Sequence, residues 1–405
     1  MKQVTMGDFY APENMRDPIA FSTRLRERQE PLIHLDNVYG MGGGWVVLGY
    51  HDAVEILKDP RFIKDMRKFS SRPEPPDTGI NDFLAWWMAM PNMILVDPPD
   101  HTRLRKLVSK AFTPRMIEGL RSRIQQIADE LLDAVQDKGK MDLIADFAFP
   151  LPITVILEML GVPTTDRDQF RAWTEGLAAV GMDPQQEQAA IAALDAFIRY
   201  LKKFLAYKRE HPGNDLTSGM LQARDQGDTL SENELLSTIW LLITAGHKTT
   251  VNLLGNGVLA LLQHPEQWRL LQADPALLPI AIEELLRYAG PIIFAKRFAS
   301  EDLCLHGQNI HKGELVLIDL VAANADPKQF PTFDKLDITR EENQHLAFGK
   351  GIHHCLGAPL ARLEGQVALG TLLRRLPQLR PTIELEQLAW TYDGLRGLVS
   401  LPVAF

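Results

Sequence analysis

The stretch "FGKGIHHCLGAPLAR", residues 348–362, sets one cysteine behind two histidines and among glycines, just ahead of a helix-forming run. Cysteine and histidine are common zinc ligands, but a structural zinc site takes four ligands, usually in paired spacings. Cys304 is the only other cysteine, and neither C-x-x-C nor H-E-x-x-H occurs. Residues 356–376 read as the last long helix. Pro359 is tolerable in its first turn, where N–H groups have no intrahelical acceptor. A helix N-terminus favours a thiolate over a thiol. Gly349 and Gly351 let the preceding loop curl its backbone N–H groups toward the sulfur. Gly357 leaves room for a flat ligand, and Phe348 is placed to shield one side. A single thiolate in such a nest suits a metal that arrives with its other ligands attached, as haem iron does; a thiolate ligand then favours O–O cleavage.

The rest of the chain reads as a large soluble globular protein. At 405 residues it exceeds a typical small domain. Its 45% hydrophobic and 23% charged fractions are ordinary for a globular protein. A net charge of −9 argues against a general nucleic-acid role. Two cysteines exclude a disulfide framework and fit a reducing compartment. The N-terminal residues lack an apolar core of signal-peptide length, and no stretch reads as long enough to span a bilayer. A cytoplasmic location and no membrane contact are the expectation.

Working outward, "PLIHLDNVYGMGGGWVVLGY" (31–50) reads as two short strands around a glycine-rich turn. A dinucleotide fingerprint would open a helix, whereas these glycines precede a strand over 45–49, so a hairpin is expected. From Asp52 to Leu286 the pattern is mostly helical, cut by Pro98-Pro99, Pro114, Pro150, Pro163, Pro212, Pro265 and Pro275. Short strands and turns follow over 291–338. Within the helical part, "LSENELLSTIWLLITAGHKTTVNLLGNGVLALLQHP" (230–265) begins with a capping box, Ser231 and Glu234, and runs apolar for roughly 30 residues, ~45 Å. It is apolar nearly all round and should be buried. Its internal Gly246 costs ~1 kcal/mol against alanine, so something must approach the helix closely there. "NDFLAWWMAMPNMIL" (81–95) reads either as core or as the wall of an apolar pocket. The sum is a mainly α fold with a minor β part near 30–50 and 291–325, in one domain spanning 1–405.

"FGKGIHHCLGAPLAR" resembles the haem-binding signature of the cytochrome P450 family, F-G-x-G-x-H-x-C-x-G-x-x-x-A, at every fixed position. Other family segments recur in order. "DPPDHTRLRKLVSKAFTPR" resembles the H-x-x-x-R helix of soluble bacterial members, "AGHKTT" the oxygen-binding groove, "EELLR" the E-x-x-R pair, and "YAGPIIFAKRFA" the segment after it. "AANADPKQFPTFDKLDITR" resembles the meander, with Ala325 where arginine is usual. The resemblance implies the cytochrome P450 fold, with haem b between the central helix and the cysteine-loop helix. It also implies an apolar small-molecule substrate, a ferredoxin-type electron donor with an NAD(P)H reductase, and a monomer.

The resemblance also assigns roles. Cys355 is the axial thiolate, flanked by Phe348 and Gly349. His101, Arg105, Arg297 and His353 hold the haem propionates; His101 and Arg105, at i and i+4, can face one propionate together. Ala245 and Gly246 leave space for dioxygen, and Thr249 assists proton delivery. The position before it, 248, is usually an acid in this motif but is Lys248 here, which cannot shuttle protons as a carboxylate does unless burial depresses its pKa. Lys248 pointing outward, with water or His247 substituting, is the expected arrangement. Glu284 and Arg287 are read as structural. Phe83, Trp87, Met90, Met93, Leu242, Ala245, Ile292, Ile293, Phe294 and Leu398 are the expected pocket lining. Cys304 reads as a small core residue. Arg103, Lys106, Lys110, Arg115 and Lys350 form a candidate basic patch for an acidic ferredoxin. The implied activity is monooxygenation. The alternatives are a peroxide-driven peroxygenase or an oxidative coupling enzyme and, last, a non-enzymatic haem sensor.

Overall fold

Ser231 and Glu234 form the capping box read from the sequence: Glu234 Oε2 accepts the Ser231 N–H at 2.8 Å and Ser231 Oγ accepts the Glu234 N–H at 3.1 Å. The helix behind this cap, Glu232–Gln263, runs 32 residues and is called the central helix below. Pro265 then opens the next helix, Pro265–Ala273. These features belong to a computed structural model that describes residues 3–69, 90–110, 112–178, 184–225, 230–391 and 394–405.

The chain forms two compact units. One comprises residues 1–64, 117–149 and 249–405 and carries the sheets. Its five-stranded sheet runs in the order Leu32–Leu35, Gly44–Val47, Leu315–Asp319, Phe294–Ala299, Phe62–Ile63. The first two strands pair antiparallel, Leu32 opposite Val47, so the glycine-rich segment between them is a hairpin connection. Leu315–Asp319 lies parallel to Gly44–Val47 and antiparallel to Phe294–Ala299. All five of its residues are buried, which explains why residues 315–318 are apolar without alternation. Cys304 sits in the small hairpin of Leu303–Leu305 with Gln308–Ile310 and is exposed, not a core residue as expected.

The helices of this unit pack through glycines. Ala358–Arg375, the cysteine helix, packs on Arg121–Gln136 and on Leu278–Ala289. A Cβ on Gly365 would lie 3.0 Å from Ile282 Cδ1, so the glycine sets how closely the cysteine helix meets Leu278–Ala289.

The other unit, residues 65–116 and 150–248, holds the helices Asp100–Ser109, Pro150–Leu160, Arg167–Ala178, Pro184–Glu210 and Leu216–Asp225. Its core is aromatic: Phe170, Trp173 and Phe197 meet edge-on at 5.2–5.9 Å between centroids, and Phe197 meets Trp240 at 4.7 Å. Gly246 is explained here. A Cβ on it would sit 3.1 Å from Ile156 Cγ1, so the element that approaches the central helix closely is Pro150–Leu160.

A second reading needs correction. The stretch Leu143–Leu160, mean hydropathy 1.8, is apolar and long enough to cross a bilayer, contrary to expectation. It is 78% buried inside the fold, as a core segment is, and residues 150–160 contribute nine buried side chains.

Candidate functional site

Cys355 lies on a loop whose shape is set from both ends. At the entry, Asn324 Oδ1 accepts the Leu346 N–H at 2.6 Å. The loop then folds back on itself: Leu346 O accepts from Gly349 N at 2.8 Å, and Phe348 O accepts from Cys355 N at 2.9 Å. The Gly349 N–H is thus committed to a carbonyl and not to the sulfur, a departure from the expected nest. Gly349 and Gly351 have φ of +67° and +73°, the left-handed region that suits glycine. Gly351 has a second reason: a Cβ there would lie 2.5 Å from the Leu57 carbonyl oxygen, so the loop rides directly on the end of the helix Tyr50–Lys58. At the exit, Gly357 is the N-cap of the cysteine helix and Pro359 stands in its first turn. The exposed Cys355 therefore precedes an N-terminal helix end, where a thiolate is favoured. A Cβ on Gly357 would meet only Cys355 Sγ, at 3.9 Å, leaving the side of the loop open for a flat group.

The entry point is itself anchored. Arg287 donates to both oxygens of Glu284 at 2.8 Å, and neither side chain has any exposure. Arg287 also donates to the carbonyls of Asn324, Phe333 and Lys335. Glu284 accepts from Asp337 N, Arg340 Nε and Asn343 Nδ2. The pair thus holds residues 324–343, and Asn324 passes that fixed position to the cysteine loop. This is the structural role read for Glu284 and Arg287.

The remaining site residues are placed as follows. In the unit with Cys355, Arg297 is buried at 3% exposure on strand Phe294–Ala299 and donates to the Lys296 carbonyl, and His353 is half-buried. In the other unit, His101 is buried at 3% and Arg105 half-buried, one turn apart on helix Asp100–Ser109. On the central helix, Ala245 is exposed, Gly246, Lys248 and Thr249 are half-buried, and His247 and Thr250 are buried. His247 Nδ1 stands 2.6 Å from the Ile243 carbonyl, which only accepts, so Nδ1 carries the proton. Of the pocket-lining residues, Met90, Met93, Leu242, Ile293, Phe294 and Leu398 are buried and Ile292 half-buried. The Phe294 ring is engaged edge-on with Phe9 at 4.9 Å. Phe83 and Trp87 lie outside the described residues. In the basic patch, Arg103 is tied to Glu234 and Asp100, which removes it as a free steering cation.

Sequence reasoning missed two groups. Glu364 on the cysteine helix is fully buried; burial pushes its carboxyl up to about 8, partly offset by the nearby Thr250 hydroxyl. Arg362 is clamped by Glu283 at 2.6 and 2.7 Å. All three letters were visible, Arg362 and Glu364 in "ARLE" and Glu283 as the first Glu of "EELLR", but only the tertiary arrangement reveals their surroundings.

The donor set fits haem. Among the described residues no group of three or more His, Cys, Asp or Glu is arranged to hold a metal ion, so Cys355 suits a metal carrying its own other ligands. The glycine-bent loop and the open side at Gly357 leave that ligand accessible.

Comparison with known proteins agrees. The Cytochrome P450 family model matches residues 182–381. Cytochrome P450 CYP107DY1 of Priestia megaterium is 60% identical over the whole of both chains. Cytochrome P450 107B1 of Saccharopolyspora erythraea is 46% identical over 93% of each. The crystal structure of myxobacterial cytochrome P450 CYP267B1 in complex with myristic acid superposes with a TM-score of 0.91 at 43% identity, covering 99% of each chain. A thiol presented ahead of a helix, a buried E-x-x-R network behind it and full-length similarity to bacterial P450s converge: the chain belongs to the cytochrome P450 family, haem b oxidoreductases of the monooxygenase type.

Proposed function

We propose that Cys355 is the axial ligand of a haem that oxidises an apolar small molecule, with electrons from a separate ferredoxin and its NAD(P)H reductase, in a monomeric cytoplasmic enzyme. The observation that carries this is the bent loop 346–355, which delivers one accessible sulfur to a helix N-terminus. Haem, when bound, supplies dioxygen activation; the chain supplies position and protons. Arg105, Arg297, His101 and His353 are the cations and donors for the two propionates. Thr249 brings a hydroxyl to the central helix next to exposed Ala245. With Lys248 where an acid is usual, the proton store is better assigned to Glu364, whose raised pKa keeps its carboxyl protonated at neutral pH beside Thr250. His247 offers only Nε2 toward such a relay, since its Nδ1 proton is spent on Ile243.

The substrate class rests on the apolar side chains Met90, Met93, Leu242, Ile293 and Leu398, and on the myristic acid held by the similar myxobacterial enzyme. Saturated fatty acids are the first compounds to screen, by the shift of haem absorption on binding. Cys355→Ser should lose the strongly red-shifted absorption of the reduced carbon monoxide complex. Retention of that band in the variant would overturn the ligand assignment. Lys248 favours one second reading, a peroxide-driven enzyme with less need of proton delivery. Turnover with peroxide but none with NADH, ferredoxin and reductase would select it.

A further inference from the structure

Beside the cysteine loop lies a charged assembly that the proposed function does not use. Glu283, on helix Leu278–Ala289, receives Arg362 Nε and Nη2 through its two oxygens at 2.6 and 2.7 Å, a fork that fixes the guanidinium plane. His345 Nε2 stands 3.2 Å from Glu283 Oε2, while His345 Nδ1 accepts the Ala347 N–H at 3.1 Å. That acceptor role places the ring proton on Nε2, where it donates to Glu283. Burial alone would raise the Glu283 carboxyl; the hydrogen bonds from Arg362 and His345 overcome it and hold it at about 2. The clamp is therefore charged throughout the working pH range.

What the clamp holds is Phe348. The Arg362 guanidinium carbon lies 4.7 Å from the Phe348 ring centroid, and the ring is bounded by His345 at 5.9 Å and His354 at 6.4 Å. Phe348 is also the residue whose carbonyl accepts the Cys355 N–H. Arg362 thus sits between a carboxylate on one helix and the ring of the residue whose carbonyl holds the Cys355 N–H. Its pKa is raised first by its hydrogen bonds to Glu283, against burial, and then by the charges of Glu283 and of Cys355, so the cation lies within electrostatic reach of the sulfur.

We propose that Arg362, oriented by Glu283 and His345, is a positioning residue for the haem thiolate: it pins the Phe348 ring and sets the charge felt at Cys355, and so sets the ease of the one-electron reduction of ferric to ferrous haem. The proposal rests on Cys355 being the iron ligand. A cation near the centre favours the added electron, and an anion opposes it. Arg362→Gln leaves Glu283 uncompensated and should disfavour reduction. Glu283→Gln leaves Arg362 uncompensated and should favour it. Arg362→Lys keeps the charge and should stay near the parent.

The test is a redox titration of the haem-loaded parent and the three variants with dithionite and mediators, read by absorption. The expected result is opposite shifts for the Gln variants, each at least a threefold change in the reduction equilibrium, about 28 mV at 59 mV per tenfold for one electron. Shifts of the same sign, or none, overturn the proposal, because a merely structural clamp would disturb both variants alike. Should Arg362→Gln take up no haem, Glu283→Gln decides alone: a rise supports the proposal and a fall or no change overturns it. A parent whose reduced carbon monoxide complex lacks the thiolate band overturns the ligand assignment itself, which separates the two failures.

Discussion

Glu364 is an acid with nowhere to put a charge. Every side of it is buried, and its raised pKa of about 8 has a consequence for stability. The folded chain keeps a proton that the unfolded chain loses near the ordinary carboxylate value of 4.5. The site therefore costs nothing below that value and erodes stability as pH climbs from about 4.5 to about 8. Glu364→Gln lacks this term, so the gap between parent and variant melting temperatures should widen against the parent across that window. The same residue carries the proton proposal. A positioned proton-transfer group contributes ~10²–10⁴-fold to such a step. Glu364→Gln should then cut the product formed per NADH consumed several-fold, whereas Lys248→Glu should leave it within about twofold. A large gain in Lys248→Glu would show instead that position 248 is a missing relay. Lys248 was legible because it breaks a motif. Glu364 was not, because one glutamate on a mixed helix reads as solvent-facing until the fold covers it.

Among the elements, the cysteine loop depends on a network that starts a helix away. Glu284 and Arg287 are fully buried, and breaking such a pair leaves one uncompensated charge, which typically costs about 3–5 kcal/mol. Arg287→Ala should therefore unfold at markedly lower urea and bind less haem, since residues 324–343 lose three carbonyl anchors and Asn324 its fixed position. Arg121→Ala, which breaks the exposed pair with Glu118, is the control and should change little. Equal effects of the two variants would refute the anchoring role. Element positions were largely legible where a boundary has a local cause. The Ser231 cap and Pro265 bracket the central helix, and residues 356–376 came out as Ala358–Arg375. Features set by tertiary packing were not. Gly351 is required by the Leu57 carbonyl, Gly246 by Ile156, and Cys304 ended exposed on a hairpin.

For the whole molecule, haem is a ligand that adds its binding free energy to the folded state only. That linkage separates residues that hold haem from residues that hold the fold. Arg105 is half-buried and Arg297 buried on a strand, so an alanine at Arg297 disturbs packing as well as charge. Each lost charged hydrogen bond to a propionate is worth roughly 1.5–3 kcal/mol. Melting curves of haem-free and haem-loaded protein should therefore be recorded for the parent, Arg105→Ala and Arg297→Ala. Arg105→Ala should leave the haem-free melt unchanged and lower the haem-loaded one. Arg297→Ala should lower both, with the larger drop in the loaded form. The difference between loaded and free melts isolates the haem contribution, and it should shrink in both variants. If that difference matches the parent in either one, that arginine does not hold a propionate.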